Sequence, residues 1–462
     1  MNEKKSAQLH EEFIRSDRKH ILMITNHGVH EWDVISGLPD TGGQDVYVNQ
    51  LTDVLADFGF KVTIANRGGY PHPQTGEMRT GFRYKAEDRR IVYTEDSVKE
   101  FVRKEDMKSQ IPELVDFLYD TLSKEEQGID LIISNYWDAA LLGVQLNERL
   151  EQRVPHLWIP HSLGAIKKRN MPPESWEKLR VDERIETEKE FIPKLDHVAA
   201  TSSLIRESMR DDYGRNIEQF LPPCIDPERY YPRTILKDDK IWDFLAEKSG
   251  EAKESLQNSR FIIEISRTDK TKRKDVLIRS FARLHEELPE TRLIVALEKS
   301  EPELYESLID LMRELKVEDA VIPIGHEAER LPYLYALTSV YCSPSVMEGF
   351  GMSVQEAAAT AVPVVGSDKI PFVSEYLLGD EPQLAPLKNN GESGSYLQIG
   401  EGAIQVPADQ TDGFAQALLY VLNSEEERKR MGRKALEITV PYFTWEMMTR
   451  RMLNKMGVTW HE

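Results

Sequence analysis

Two glutamates, Glu348 and Glu356, stand on either side of the turn Gly349-Phe350-Gly351. The stretch 341–366 reads as a short strand, a loop carrying Glu348, the glycine turn, a helix starting near Met352 or Ser353, and another strand. The free backbone N–H groups of that helix's first turn face whatever the turn leaves exposed, an arrangement that binds an anion, most often a phosphate. Carboxylates before and after the turn are placed to grip hydroxyls on both sides of that phosphate. Phosphate flanked by hydroxyls is what a sugar nucleotide presents.

Arg267 and Lys272 form a second set, just after the apolar run 261–266 and so at the carboxyl end of an expected strand. Moving a sugar off a nucleoside diphosphate builds negative charge on the leaving phosphate and positive charge on the sugar carbon. Such a site needs fixed positive potential more than a protein nucleophile. Arg267, Lys272 and the helix start at 351–353 are expected to bracket the diphosphate.

The elements that must position these residues alternate along the whole chain. Apolar runs at 20–25, 61–65, 130–134, 156–159 and 197–201 read as buried parallel strands, with 217–221 closing the series. Helical spacing lies between them, for instance Val48, Leu51, Val54, Leu55 and Phe58 before Gly59. The prolines of 222–227 mark a hinge. A polar helix over 242–256 leads into a second series, with strands at 261–266, 292–297, 320–324, 340–343, 362–366 and 403–406. The polar, glycine-bearing region 379–402 reads as an inserted loop or hairpin, and 444–456 as a final amphipathic helix. The expected fold class is α/β, two Rossmann-like doubly wound parallel-sheet domains facing across a cleft, with ligands at the strands' carboxyl ends. The expected division is a lead over 1–19, a first domain over 20–231, a second over 232–440, and a C-terminal helix over 441–462 that crosses back to the first.

Composition narrows the partners. A net charge of −20 over 462 residues argues against nucleic acid or an acidic membrane. Cys224 and Cys342 are too far apart for a metal or redox motif, and the chain's start lacks the apolar core of a signal peptide. No apolar run approaches membrane-spanning length, so a cytoplasmic protein is expected. The basic runs at 89–90, 167–169 and 270–274 read individually as solvated faces, of interest only if several enter one cleft. The loop Thr41-Gly42-Gly43-Gln44 is not G-x-G-x-x-G, and Asn66-Arg67 stand where a dinucleotide site keeps an acid, which disfavours a dehydrogenase.

Four motifs in order carry a resemblance: Asp40-Thr41-Gly42-Gly43-Gln44; His161-Ser162-Leu163-Gly164-Ala165 with Lys167; Ser266-Arg267 with Asp269 and Lys272; and Glu348-Gly349-Phe350-Gly351 running to Glu356. Together they resemble the retaining glycosyltransferases of the GT-B fold, the family of sucrose-phosphate synthase, mannosylfructose-phosphate synthase and sucrose synthase. The resemblance implies transfer of glucose or mannose from a UDP-, ADP- or GDP-sugar to a small phosphorylated acceptor such as fructose 6-phosphate, in compatible-solute or other carbohydrate metabolism. It implies a front-face retaining mechanism in which the donor's own phosphate oxygen takes the acceptor proton. No tightly bound cofactor is expected, and with no convincing Asp-x-Asp pair the Arg-Lys pair is expected to make metal inessential.

The resemblance also assigns roles. His161, Arg267, Lys272 and Glu348 would be catalytic. Gly43, Gly349, Phe350, Gly351, Met352, Ser353 and Glu356 would join Arg267, Lys272 and Glu348 in holding the donor, Glu348 at the sugar and Glu356 at the ribose. Gly42, Gln44, Lys99, Tyr136, Ser162, Lys167 and Arg184 would hold the acceptor. Lys369-Ile370-Pro371 replaces the Gly-Gly pair usual in relatives, and Arg273 stands where Gly or Asn is common, so the donor's identity stays open. A phosphorylase of the same fold, a non-catalytic sugar-nucleotide sensor, and a transferase using glycerate, glycerol or free-sugar acceptors are the alternatives.

Overall fold

Short apolar runs bounded by polar and glycine residues become buried strands because both faces of a parallel sheet are covered by helices. In the first half these are β1 (His20–Ile24), β2 (Lys61–Arg67), β3 (Gly81–Ala86), β4 (Arg89–Thr94), β5 (Leu131–Asn135), β6 (His156–Ile159), β7 (His197–Ala200) and β8 (Gln219–Phe220). The computed structural model describes residues 3–35, 38–126, 128–299, 301–325, 327–387 and 396–460. It divides into two compact units, Met1–Pro222 with Trp445–Glu462, and Pro223–Thr444.

In the first unit the strand order is β3-β4-β2-β1-β5-β6-β7-β8, parallel except for β3 against β4. The second sheet contains β9 (Arg260–Glu264), β10 (Thr291–Ala296), β11 (Val321–Ile324), β12 (Thr338–Ser343), β13 (Val364–Ser367), β14 (Gln383–Pro386), β15 (Tyr396–Ile399) and β16 (Ala403–Val406), in the order β11-β10-β9-β12-β13-β16-β15-β14. Each sheet reverses its winding beside its first strand. The crevice at such a switch, beyond the carboxyl ends, is where doubly wound sheets bind ligands. β1 pairs with β5 there, and β9 with β12. The segments leaving β1, β9 and β12 carry three of the motifs quoted above, and the His161–Lys167 motif leaves β6, the neighbour of β5.

Several elements depart from the sequence reading. The hairpin β3–β4 was not anticipated, because two arginines open β4 and hide its apolar run; nor was the polar helix Glu3–Arg15. The 242–256 helix is two helices, Ile241–Ser249 and Lys253–Gln257, broken where Gly250 turns left-handed. The helix Glu425–Thr439, too polar for a clear apolar stripe, is an addition. Strands β14 and β15 make an antiparallel edge hairpin of the 379–402 insertion, whose residues 388–395 lie outside the described residues. The final helix Trp445–Met456 packs on the first unit, where the Trp445 ring meets Tyr47 edge-on at 4.8 Å and its Nε1 donates to Gln50 Oε1.

The basic runs are not simply solvated faces. Arg90 is fully buried beneath Phe13 and forks onto both carboxylate oxygens of Glu125. Lys274 is buried against Glu264. An acidic chain offers each of these cations a carboxylate partner, which removes the penalty of burying them alone.

Candidate active site

In the second unit, the loop after β9 turns through Asp269, whose side chain accepts from the backbone N–H of Thr271 at 2.9 Å and so caps a short 3₁₀ turn, Lys270–Lys272. That turn delivers Lys272, largely buried, whose Nζ donates to Glu348 Oε1 at 2.6 Å and to Met347 O at 3.3 Å. Arg267 takes no part in this contact. Its side chain is 86% exposed, with its nearest carboxylate, Asp269, at 3.9 Å. A fully buried pair, Lys274 and Glu264, lies below, with Lys274 also donating to Ser266 Oγ at 3.0 Å.

The glycine turn after β12 opens the helix Met352–Ala359, as its sequence anticipates. Gly351 caps it at φ 110°, and a Cβ there would lie 2.8 Å from Ile370 Cγ2. Gly349 leaves open space, while Phe350 is buried among Phe372, Tyr376 and Phe443 and anchors the turn. Met352 is exposed beside the helix start, and Ser353 Oγ meets Tyr341 Oη at 2.8 Å. One turn on, Glu356 Oε2 accepts from Tyr335 Oη at 2.9 Å, and Tyr230 bonds the same carboxylate. Burial pushes the Glu356 carboxyl above its usual range, against the phenol hydrogen bonds and the charge of Arg229.

In the first unit, β1 leads through Gly28, at φ 80° and so tightly packed that a Cβ would lie 2.6 Å from Asp40 O. This close turn brings Thr41 Oγ1 to accept from Val29 N at 2.9 Å and sets the start of the helix Gly43–Asp57. Gly42 and Gly43 leave open space where side chains would project. Gln44 Nε2 donates to Thr25 Oγ1 at 3.1 Å.

Around the ends of β5 and β6 a pocket is lined by Lys104, Lys167, Arg180 and Arg184, with Glu105, Glu183, Tyr136, Trp137 and Leu179. Arg184 stacks over the Tyr136 ring at 4.4 Å and donates to Tyr136 Oη at 2.6 Å, Glu188 Oε1 at 2.8 Å and Ser162 O at 2.6 Å. Glu188 is fully buried and also accepts from Gly164 N, so it ties the His161–Lys167 segment to the helix Val181–Phe191. Lys167 reaches Glu105 at 3.4 Å, and Lys104 pairs with Asp40. Burial alone would raise the Asp40 carboxyl, but the hydrogen bond and charge of Lys104 bring it below its usual range. His161 follows β6 at φ 55°, and its Nε2 lies 3.0 Å from Asn135 Oδ1. Desolvation, aided by the positive charge of His27, lowers its pKa to about 3.

Among the described residues, five non-glycine residues at left-handed φ lie at these loops, Asp40, Tyr136, His161 and Arg180 in the first unit and Arg273 in the second, and four more, Glu126, Lys316, Ala361 and Asp409, lie elsewhere. Such conformations cost on the order of 1–3 kcal/mol each and persist where their surroundings dictate them, which is commonest at functional sites.

The sequence family described as Glycosyltransferase Family 4 matches residues 41–229, and Glycosyl transferases group 1 matches residues 247–437. The chain belongs to these glycosyltransferases. Mannosylfructose-phosphate synthase of Agrobacterium fabrum is 29% identical over 360 residues, 75% of each chain. Sucrose-phosphate synthase from Thermosynechococcus elongatus superposes with a TM-score of 0.71 at 20% identity, over 95% of this chain and 98% of that one. Anabaena HepE, solved with UDP and glucose, does so with a TM-score of 0.63 at 16% identity, over 95% and 100%. The fold of this glycosyltransferase is GT-B, two doubly wound α/β units with an eight-stranded sheet each.

Within each unit the geometry gathers most of the residues named from sequence. Lys272 meets Glu348, and the 349–353 turn is held by Phe350 and Ser353. Tyr136, Ser162, Lys167 and Arg184 surround or wall the first unit's pocket. Lys99 is apart from it: more than half exposed, it donates to Asp96 O and pairs with Glu95. In its place stand Lys104 and Arg180, which the sequence reading missed, as it missed Tyr230, Tyr335 and Asn135. Lys104 and Arg180 sit in charged stretches with no motif around them, so only the fold brings them to one pocket. Among the described residues, no three His, Cys, Asp or Glu side chains gather as a metal-ligand set, and no helix is long and apolar enough to cross a membrane.

Proposed function

We propose that the protein transfers a hexosyl group, glucose or mannose, from a nucleoside-diphosphate sugar to a small phosphorylated acceptor such as fructose 6-phosphate, with retention of configuration and no essential metal. One observation carries the reading: four cationic side chains, Lys104, Lys167, Arg180 and Arg184, against two carboxylates, Glu105 and Glu183, line one pocket of a protein whose net charge is −20. A phosphate is the small-molecule group that such a surplus of cations suits. The names of the relatives, mannosylfructose-phosphate synthase and sucrose-phosphate synthase, agree with it, and the UDP and glucose held by Anabaena HepE agree with a nucleotide-sugar donor.

In this reading the acceptor's hydroxyl oxygen bonds to the anomeric carbon as the bond from that carbon to the leaving phosphate oxygen breaks, and the hydroxyl proton passes to the leaving phosphate. Arg267, Lys272 and the N–H groups at 351–353 offset the charge that develops on the diphosphate. Glu348 and Glu356 orient the sugar and ribose hydroxyls, and Gly42, Gly43 and Gln44 leave room for the reacting groups. The work takes place in a reducing cytoplasm, where the buried Cys224 and Cys342 stay thiols.

The experiment is a donor-by-acceptor screen. UDP-glucose, ADP-glucose, GDP-glucose and GDP-mannose are each offered with fructose 6-phosphate, with glycerate, glycerol or inositol phosphates, and with free sugars, following nucleotide release with and without a chelator. Release with a phosphorylated acceptor and none with its dephosphorylated form is expected. Equal turnover of both forms would overturn the acceptor reading, and loss of turnover in chelator the metal-independent one.

A further inference from the structure

His161 has one ring nitrogen committed and one free. Nε2 lies 3.0 Å from Asn135 Oδ1. Among the described residues no hydrogen bond engages Nδ1. What that pairing means depends on Asn135, a fully buried residue at the end of β5. Its Nδ2 faces Met23 Sδ at 3.2 Å and Ile24 O at 3.4 Å. Both are acceptors only, so the amide must turn its NH₂ toward them; the opposite rotamer would set its carbonyl oxygen against the Ile24 carbonyl. Oδ1 is therefore the atom facing His161, and an amide oxygen only accepts.

Nε2 must then carry the proton. The ring is gripped on its other sides as well: Tyr47 meets it edge-on at 4.8 Å, and its backbone sits at φ 55°. The charged groups that bear on it are His27, which hydrogen-bonds Asp138 at 3.0 Å, and Asp45, which bonds His30 at 2.9 Å. The first disfavours a positive ring and the second favours one, and burial adds to the first.

We propose that Asn135 is a positioning residue that fixes His161 as its Nε2–H tautomer, so that the ring offers Nδ1 as a hydrogen-bond acceptor for a hydroxyl of the bound ligand. His161 so held accepts from a hydroxyl and has no ring N–H left to give. The ligand's identity as a sugar rests on the glycosyltransferase reading; the tautomer does not.

The test is ¹⁵N NMR of the imidazoles in the full-length, ligand-free protein, with the His161 signals assigned by their absence from His161→Gln. Expected between about pH 5 and pH 8 is a protonated Nε2 and an unprotonated Nδ1, unchanged with pH. A protonated Nδ1, or a doubly protonated ring at neutral pH, would overturn the proposal whether or not the protein transfers sugar. Asn135→Asp keeps the acceptor and adds a charge, so the ring should begin to titrate within that range; failure to do so counts against Asn135 as the controlling group. In the transfer assay, one deoxyfluoro position of the donor or acceptor sugar should cost wild type about tenfold in kcat/KM, the equivalent of one hydrogen bond, and cost His161→Gln nothing more. Equal losses in the two would remove the hydroxyl contact while the NMR result stood.

Discussion

Lys272 Nζ lies 2.6 Å from Glu348 Oε1, joining a loop that follows β9 to one that follows its neighbour β12. The backbone repeats the link. Val346 N donates to Thr271 O at 2.8 Å, and Ser345 Oγ donates to the same oxygen at 3.3 Å. The cation that the proposed function gives to the phosphate and the carboxylate that it gives to the sugar hydroxyls thus hold each other in place. Preorganised charge of this kind needs no reorganisation when the reaction builds charge on the leaving group.

Lys272→Met, which keeps the stem and removes the charge, should lower kcat/KM by about 10²–10³-fold, the usual effect of losing one preorganised charge donor. Glu348→Gln should also slow transfer, and the double variant should cost less than the product of the singles because the two side chains share one contact. Steady-state nucleotide release from the four proteins measures the cycle. Fully additive losses would mean that the pair does not act as a unit.

Arg184 is expected to matter more for folding than for the acceptor's KM. Its Nε and both Nη groups are spent on Glu188, Tyr136 and Ser162. Arg184→Ala leaves the fully buried Glu188 without its cation, held only by the Gly164 N–H and the Tyr213 hydroxyl, which should destabilise the protein by about 3–5 kcal/mol. Arg180→Ala breaks only exposed pairs, and Lys167→Ala leaves its largely buried partner Glu105 with Lys104 at 3.9 Å, so both should cost less stability than Arg184→Ala while raising the phosphorylated acceptor's KM several-fold. Denaturant melts and KM values for the three variants separate the roles. Unchanged KM in both Lys167→Ala and Arg180→Ala would remove the pocket from acceptor binding.

The motif residues were legible because each follows an apolar strand or opens a helix, and the helix at Met352 begins where the glycine turn implies. Arg184 was legible as a cation but not as a paired one: the acid that holds it, Glu188, lies one helical turn away among other charges. Lys104 and Arg180 were not legible at all, since their approach to Lys167 depends on how the loops after β4 and β6 fold over β5. The buried Arg90 failed for a related reason. Charge in a sequence looks solvated until its partner, Glu125 from a helix beyond the hairpin, is known.

His20 and His156 are buried, and burial, with nearby Arg90 and Lys61 for His20 and Arg153 for His156, lowers both pKa values to about 3. The unfolded chain binds protons at these positions near pH 6.5 and the folded one does not, so their contribution is fully present above that pH and is lost as pH falls toward 3. By about pH 5 each should have removed about 2 kcal/mol relative to pH 7. Denaturant titrations across this range check it. His20→Gln should flatten the dependence by about one histidine's share, whatever it does to absolute stability, and an unchanged slope would show that His20 does not govern the acid limb.

Gly351→Ala tests the turn that presents the helix end. At φ 110° an alanine is strained, and its Cβ would meet Ile370 Cγ2 at 2.8 Å. Ile370 is fully buried at the centre of the Lys369-Ile370-Pro371 loop, next to Phe372, which packs on Phe350. Relief of the clash therefore moves the turn itself, and with it the N–H groups at 352 and 353. A stability loss of about 1–3 kcal/mol is expected from the backbone strain. Nucleoside-diphosphate affinity, measured by calorimetry under conditions where the variant is folded, should fall by tenfold or more, because an anion at a helix N-terminus depends on the aim of those N–H groups. Ile370→Val in the same background shortens the opposing side chain, and should recover part of the affinity if steric displacement is the cause. Wild-type affinity in Gly351→Ala would mean that the diphosphate does not sit on this turn.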